Sequence, residues 1–64
     1  MRYTIKRLIG YYEVWEKSAG MAAAMIGSAA TRNAAVARIE EYRREWNVTG
    51  AYAVDDWDAR KVGK

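Results

Sequence analysis

The most concentrated reactive chemistry in the sequence is the acidic run Asp55-Asp56-Trp57-Asp58. Carboxylates this close could hold a divalent cation through oxygen ligands. The run lacks the alternating spacing and the glycine of a calcium loop, and no second ligand group stands elsewhere to complete a shell. No metal and no cofactor are expected. The run reads either as a solvated strand end or as a patch that meets basic residues on a partner.

Acid–base or nucleophilic work would fall to Glu13, Glu16, the three Asp, Ser18 and Ser28. The chain has no His and no Cys. Their absence removes zinc fingers, disulfides, haem ligation and the Ser–His or Cys–His nucleophile pairs. A chain of 64 residues also has little room for a substrate pocket of roughly 300 Å³ or more. Gly20 and Gly27-Ser28 lack the spacing and the following Lys of a phosphate loop. A non-enzymatic protein is expected.

Basic dyads stand at Lys6-Arg7, Arg43-Arg44 and Arg60-Lys61, with Tyr and Trp nearby. Exposed aromatics on a sheet beside cations can stack unpaired bases. A small nucleic-acid-binding regulator using Lys6, Arg7, Arg43 and Arg44 is therefore the alternative reading. Acids are interleaved with these dyads, as on a solvated helix face. The net charge is +3, from 11 basic and 8 acidic side chains. It is spread along the chain, with no basic stripe of the kind a phosphate backbone demands.

Every aromatic ring is one of five Tyr or three Trp, since Phe is absent. Tyr42 and Trp46 fall on a helical stripe and are assigned to the core, as are Tyr12 and Val14. Tyr11, Glu13 and Trp15 then point to the opposite face of a sheet that so short a chain cannot cover. Interfaces enrich such rings, which combine large area with a polar handle. Tyr11, Glu13 and Trp15, with Asp55, Asp56, Trp57 and Asp58, are the candidate partner-binding residues. A homodimer seam is the competing use of the same surface.

The elements that position these groups follow from periodicity. Thr31 to Trp46 reads as a helix: Thr31 is a good N-cap, and Ala35, Ile39, Tyr42 and Trp46 form one apolar stripe. Glu40 and Arg44 are spaced as a helical ion pair, and Asn47-Val48-Thr49-Gly50 supplies the stop. Arg2 to Ile9 and Tyr11 to Lys17 alternate as strands, with Gly10 as turn or bulge between them. Ala51 to Val54 is a short last strand. Residues 18–30 admit two readings. Alanine content favours helix, whereas a turn at Ser18-Ala19-Gly20 favours a hairpin with Met21 to Ala29 returning; the hairpin is preferred.

A chain this short forms one domain, residues 1–64, and buries about 60% of its unfolded surface. Without disulfides or a metal, self-association is the expected route to stability. The weakly polar run from Gly20 to Ala30 is too short for a bilayer, which needs about 20 residues. Glu13 and Glu16 lie where a signal peptide would be basic. A whole short gene product, soluble and cytoplasmic, without membrane association, is expected.

The order YYEVWEK, a glycine turn, AATRNAAVARIEEY and a short final strand resembles small phage and mobile-element accessory proteins. In these a β-hairpin leads through a Thr-Arg helix start into one amphipathic helix. Thr31-Arg32, Ala34-Ala35 and Ile39 carry the likeness, alongside Tyr12, Val14 and Trp15. The Ala-rich second strand departs from the usual polar or β-branched one. Anti-CRISPR proteins and other inhibitors of host defence are of this size and style. The resemblance implies a protein that binds and blocks a host complex by steric occlusion, in the host cytoplasm if phage-encoded. No site residues transfer with it, because such proteins share no common motif. The expected fold is α+β: a small antiparallel sheet, ββαβ-like, with one amphipathic helix packed on one face.

Overall fold

A computed structural model describes residues 1–61, the side chain of Lys61 excepted. Alternating side chains build strands β1 (Arg2–Arg7) and β2 (Tyr12–Lys17), joined by a turn in which Gly10 takes φ 87°. That left-handed conformation favours glycine. The backbone N–H of Leu8 donates to the carbonyl of Tyr11 at 2.9 Å and closes the turn. β3 (Ala24–Ala29) returns as the hairpin reading expects, although it starts three residues later than Met21. Helix α1 (Arg32–Glu45) follows, then β4 (Ala53–Asp58) and a short 3₁₀ turn, Ala59–Lys61.

The four strands form one sheet in the order β3-β2-β1-β4. β1–β2 and β2–β3 are antiparallel, while β1–β4 is parallel. The α+β class and the single helix on one face are as expected, with two refinements. Three strands precede the helix, and the sheet is mixed rather than wholly antiparallel. Each connection reverses the chain, so β1, β3 and β4 run one way and β2 and α1 the other. A last strand that settles beside β1 must then be parallel to it.

α1 begins where its N-cap residue places it. Thr31 is extended (φ −132°, ψ 161°), and its hydroxyl accepts the N–H of Ala34 at 3.1 Å. Arg43 and Arg44 occupy the last turn, where cations suit the negative end of the helix dipole. The helix buries Ala35 and Ile39 against Tyr3, Ile5 and Val14 of the sheet, and these five side chains are the fully buried core. Tyr12, Ile26, Val36, Tyr42, Tyr52 and Val54 pack around them.

The Arg38 side chain of α1 rests over β3 where position 27 has no side chain. A Cβ on Gly27 would stand 2.7 Å from Nε of Arg38. Arg38 pairs from there with Glu41 at 2.5 Å. A bulge between Val14 and Trp15 makes Ile26 an extra residue in β3, since Val14 faces Gly27 and Trp15 faces Met25.

Two expectations are corrected. The last strand spans Ala53–Asp58 rather than Ala51–Val54, so the acidic run lies within the sheet. Trp46 is not core: it is 66% exposed at the C-cap, its ring tilted against Tyr42 at 6.2 Å. The helix ends under it, with Asn47 turning into the left-handed region at φ 54°. The apolar stripe outlasts the surface it packs on.

Candidate functional site

Strand parity divides the sheet into a covered face and an open one. Tyr3 and Ile5 of β1 face the helix, so their neighbours in register do too: Glu16, Val14 and Tyr12 of β2, and Val54, Asp56 and Asp58 of β4. The intervening residues face away: Arg2, Thr4 and Lys6 of β1, Glu13, Trp15 and Lys17 of β2, and Asp55 and Trp57 of β4. Met25 and Ser28 of β3 join them opposite Trp15 and Glu13. The Cα atoms span 37 × 25 × 16 Å. The short dimension suits two layers of secondary structure and leaves the open face uncovered.

Lys6 is the centre of the open face. Its Nζ stands 4.1 Å from the Trp15 ring centroid and 5.2 Å from that of Trp57. A cation over an indole face is attracted by about 0.5–1 kcal/mol when exposed. Trp15 is oriented further, since its Nε1–H donates to Oε1 of Glu13 at 3.1 Å. Beside Lys6 on the same face, Arg2 and Asp55 pair at 2.5 Å. Two of the three tryptophans thus flank Lys6 on one face, Trp15 held by Lys6 and Glu13 and Trp57 by Lys6. Trp57 is 42% exposed and Met25 52%.

The acidic run does not act as one patch. Its residues alternate between faces, and each Asp has its own arginine within the chain. Asp55 takes Arg2, Asp56 takes Arg32 through two hydrogen bonds of 3.0 Å, and Asp58 takes Arg60 the same way. The Arg60 side chain, with the Arg60 backbone N–H adding to it, holds the Asp58 carboxyl at about 2. A carboxylate that acidic is a weak base near neutrality. Among the described residues no three acidic side chains converge as metal ligands. Asp56 and Asp58 line a cavity of about 260 Å³ on the helix side with Arg7, Tyr12 and Arg32. Its two carboxylates are the ion-paired ones.

Of the candidate partner-binding residues, the open face therefore brings together Glu13, Trp15, Asp55 and Trp57. Asp56 and Asp58 lie on the helix side. Tyr11 precedes β2 and stands exposed beside the turn at its edge.

The basic candidates disperse more widely. Lys6 and Arg7 point to opposite faces, as neighbours in a strand must. Arg43 is held within the fold, its guanidinium 4.0 Å over the Tyr52 ring and donating to the carbonyl of Gly50 at 2.7 Å. Arg44 is exposed near the helix C-terminus. The partner of Arg60 in its dyad, Lys61, has its side chain outside the described residues.

Strand-by-strand reasoning missed the role of Lys6 and the proximity of Trp57 to Trp15. Alternation over residues 53–58 carries part of that signal, because it separates Asp55 and Trp57 from Asp56 and Asp58. The parallel register that sets Trp57 beside Lys6 is not local information.

Comparison with protein-family models, curated proteins and solved structures gives no match. Among the described residues no helix is long and apolar enough to cross a membrane.

Proposed function

We propose that the protein is a non-enzymatic binding module that docks the open face of its sheet against a partner protein. The observation that carries this reading is the Trp15–Lys6–Trp57 array, two indoles ordered by one cation on an uncovered sheet. Rings held in place before contact lose little side-chain entropy on binding, which favours them as interface anchors. The polar neighbours Glu13, Arg2 and Asp55 suit the rim of such a surface. In keeping with the resemblance to anti-CRISPR and related proteins, the partner is a host defence complex, and the mechanism is steric occlusion. The ion-paired state of Asp56 and Asp58 weighs against acid–base catalysis in the cavity they line.

The test is an interference assay in cells carrying an active CRISPR system, with the protein co-expressed against a targeted plasmid. Wild type restores plasmid maintenance, Trp46→Ala still does so, and the double variant Trp15→Ala/Trp57→Ala does not. Unchanged interference with the wild-type protein present, or full inhibition by the double variant, contradicts the reading.

The second reading, single-stranded nucleic acid, is favoured by one observation: indoles beside Lys6 on a sheet face are also the chemistry that stacks bases. It requires a gel shift at low salt that fades steeply as salt rises. Arg7 and Arg43 do not reach that face, so their removal leaves such a shift unchanged.

A further inference from the structure

We propose that β3 is a self-pairing edge, through which two copies of the chain join antiparallel about a two-fold axis into one eight-stranded sheet. This does not rest on the open face binding a partner.

The two edges of the sheet are β3 and β4. An edge strand presents unpaired N–H and C=O groups along one side, and proteins commonly protect it with charge, proline or a covering segment. β4 carries Asp55, Asp56 and Asp58 in six residues, each tied to an arginine of this chain, and charged pairs of this kind guard an edge. β3 reads Ala24-Met25-Ile26-Gly27-Ser28-Ala29, with no charge and no proline. Beside it runs a groove along Ser28, Ala29, Ala30, Ala34 and Ala37, lined also by the Arg38–Glu41 ion pair; the small side chains leave room there for another backbone.

The bulge supplies the specific argument for a second copy. A regular strand alternates faces strictly, but the extra residue Ile26 breaks that alternation. Ala24 and Ala29 lie opposite Glu16 and Tyr12 and so face the helix side, while Met25 and Ser28 face the open side. Ile26 packs on the core and Gly27 lies under Arg38, so both adjoin the helix side. The order is helix, open, helix, helix, open, helix, and it is the same in both chain directions. Residues directly opposite in an antiparallel pair point to the same face. Two copies can therefore pair all six residues in register: Ala24 with Ala29, Met25 with Ser28, Ile26 with Gly27. A two-fold contact of this kind closes on itself and forms a dimer rather than a fibre. The dimer sets two Trp15–Lys6–Trp57 arrays on one continuous face.

Sedimentation and light scattering across micromolar to millimolar concentration test this directly. Wild type shifts from 7.3 kDa to about 15 kDa, and a second copy rather than a longer array is formed. Met25→Lys with Ser28→Lys sets like charges opposite each other twice across the axis and weakens the dimer about tenfold. Met25→Glu with Ser28→Lys sets opposite charges there and restores it. Circular dichroism checks that both variants fold. Should the first not fold, wild-type amide exchange decides: residues 24–29 gain protection with concentration and residues 53–58 do not. A monomer at millimolar concentration, equal association by the two double variants, or unchanged exchange in β3 overturns the proposal.

Discussion

Two aromatic clusters lie on opposite faces of the same four strands, and each holds one cation. On the covered face Tyr3 meets Tyr42 and Tyr52 edge-on at 6.4 and 5.5 Å, with Arg43 over Tyr52. The polar ends of these rings are satisfied within the fold. Glu16 accepts from the Tyr42 hydroxyl at 3.0 Å and from that of Tyr3 at 3.4 Å, and Glu40 accepts from Tyr52. On the open face Trp15 and Trp57 flank Lys6 with no layer above them. Tyrosine serves where the ring must be buried and its hydroxyl can find a carboxylate. Tryptophan serves where area is left for another molecule. The covered cluster holds the fold and the open one is available for function.

Stability measurements can break this division. Ile39, fully buried against the sheet, should lose about 2–5 kcal/mol on Ile39→Ala in urea denaturation. Trp57→Ala, although it removes a larger side chain, should stay within about 1 kcal/mol of wild type. Equal losses would mean that the open face is part of the core. Glu16→Ala removes the acceptor of the buried Tyr3 and half-buried Tyr42 hydroxyls and should cost about 1–3 kcal/mol. Glu13→Ala frees one indole N–H on the open face and should cost about 0.5 kcal/mol or less.

The pH dependence sharpens the same contrast at the alkaline end. Burial, opposed in part by Arg43 and reinforced by Glu16, raises the Tyr3 hydroxyl above its ordinary value of 10.0. Burial and then the Glu16 hydrogen bond raise Tyr42, and the hydrogen bond to Glu40 followed by burial raises Tyr52. A folded value above the unfolded one favours the folded state while the hydroxyl is protonated. That contribution is complete below about pH 10 and falls as pH rises through the raised values. Tyr42→Phe should flatten this alkaline loss in melting curves.

Asp58 gives the opposite sign and the smallest effect. Its folded value of about 2 lies below its ordinary 3.8. Its contribution is therefore present above about pH 4 and lost as pH falls toward 2. Because the pair with Arg60 is exposed, added salt should reduce it further. Asp58→Asn should remove both dependences.

Most of the covered face was legible in the sequence. Thr31 marks the helix start, Ala35 and Ile39 lie on its buried stripe, and Val14 alternates with Trp15 so that their faces separate. What failed to show has two causes. Helical periodicity reports phase but not the extent of the surface beneath, so Trp46 kept its place in the stripe while falling off its end. Strand pairing is nonlocal, so Lys6 read as half of a basic dyad when it stands between Trp57, beside it in register, and Trp15, diagonal to it on β2. The acidic run read as a patch for the same reason: Arg2 and Arg32, which pair with Asp55 and Asp56, come from distant elements, and Arg60 alone is local to its partner Asp58. A bulge depends on both strands at once, and nothing in Ala24 to Ala29 alone announces that Ile26 is the extra residue.

Trp15 and Trp46 offer the most direct test of the open face as the working surface. Trp46 is the more exposed ring, so exposure alone predicts that its loss matters more. Calorimetric titration of a purified defence effector complex with Trp15→Ala and with Trp46→Ala separates the two views. The account predicts a loss above about 1 kcal/mol for Trp15→Ala and less than about 0.5 kcal/mol for Trp46→Ala, with the fold intact in both. Unchanged affinity for Trp15→Ala, or a larger loss for Trp46→Ala, contradicts it.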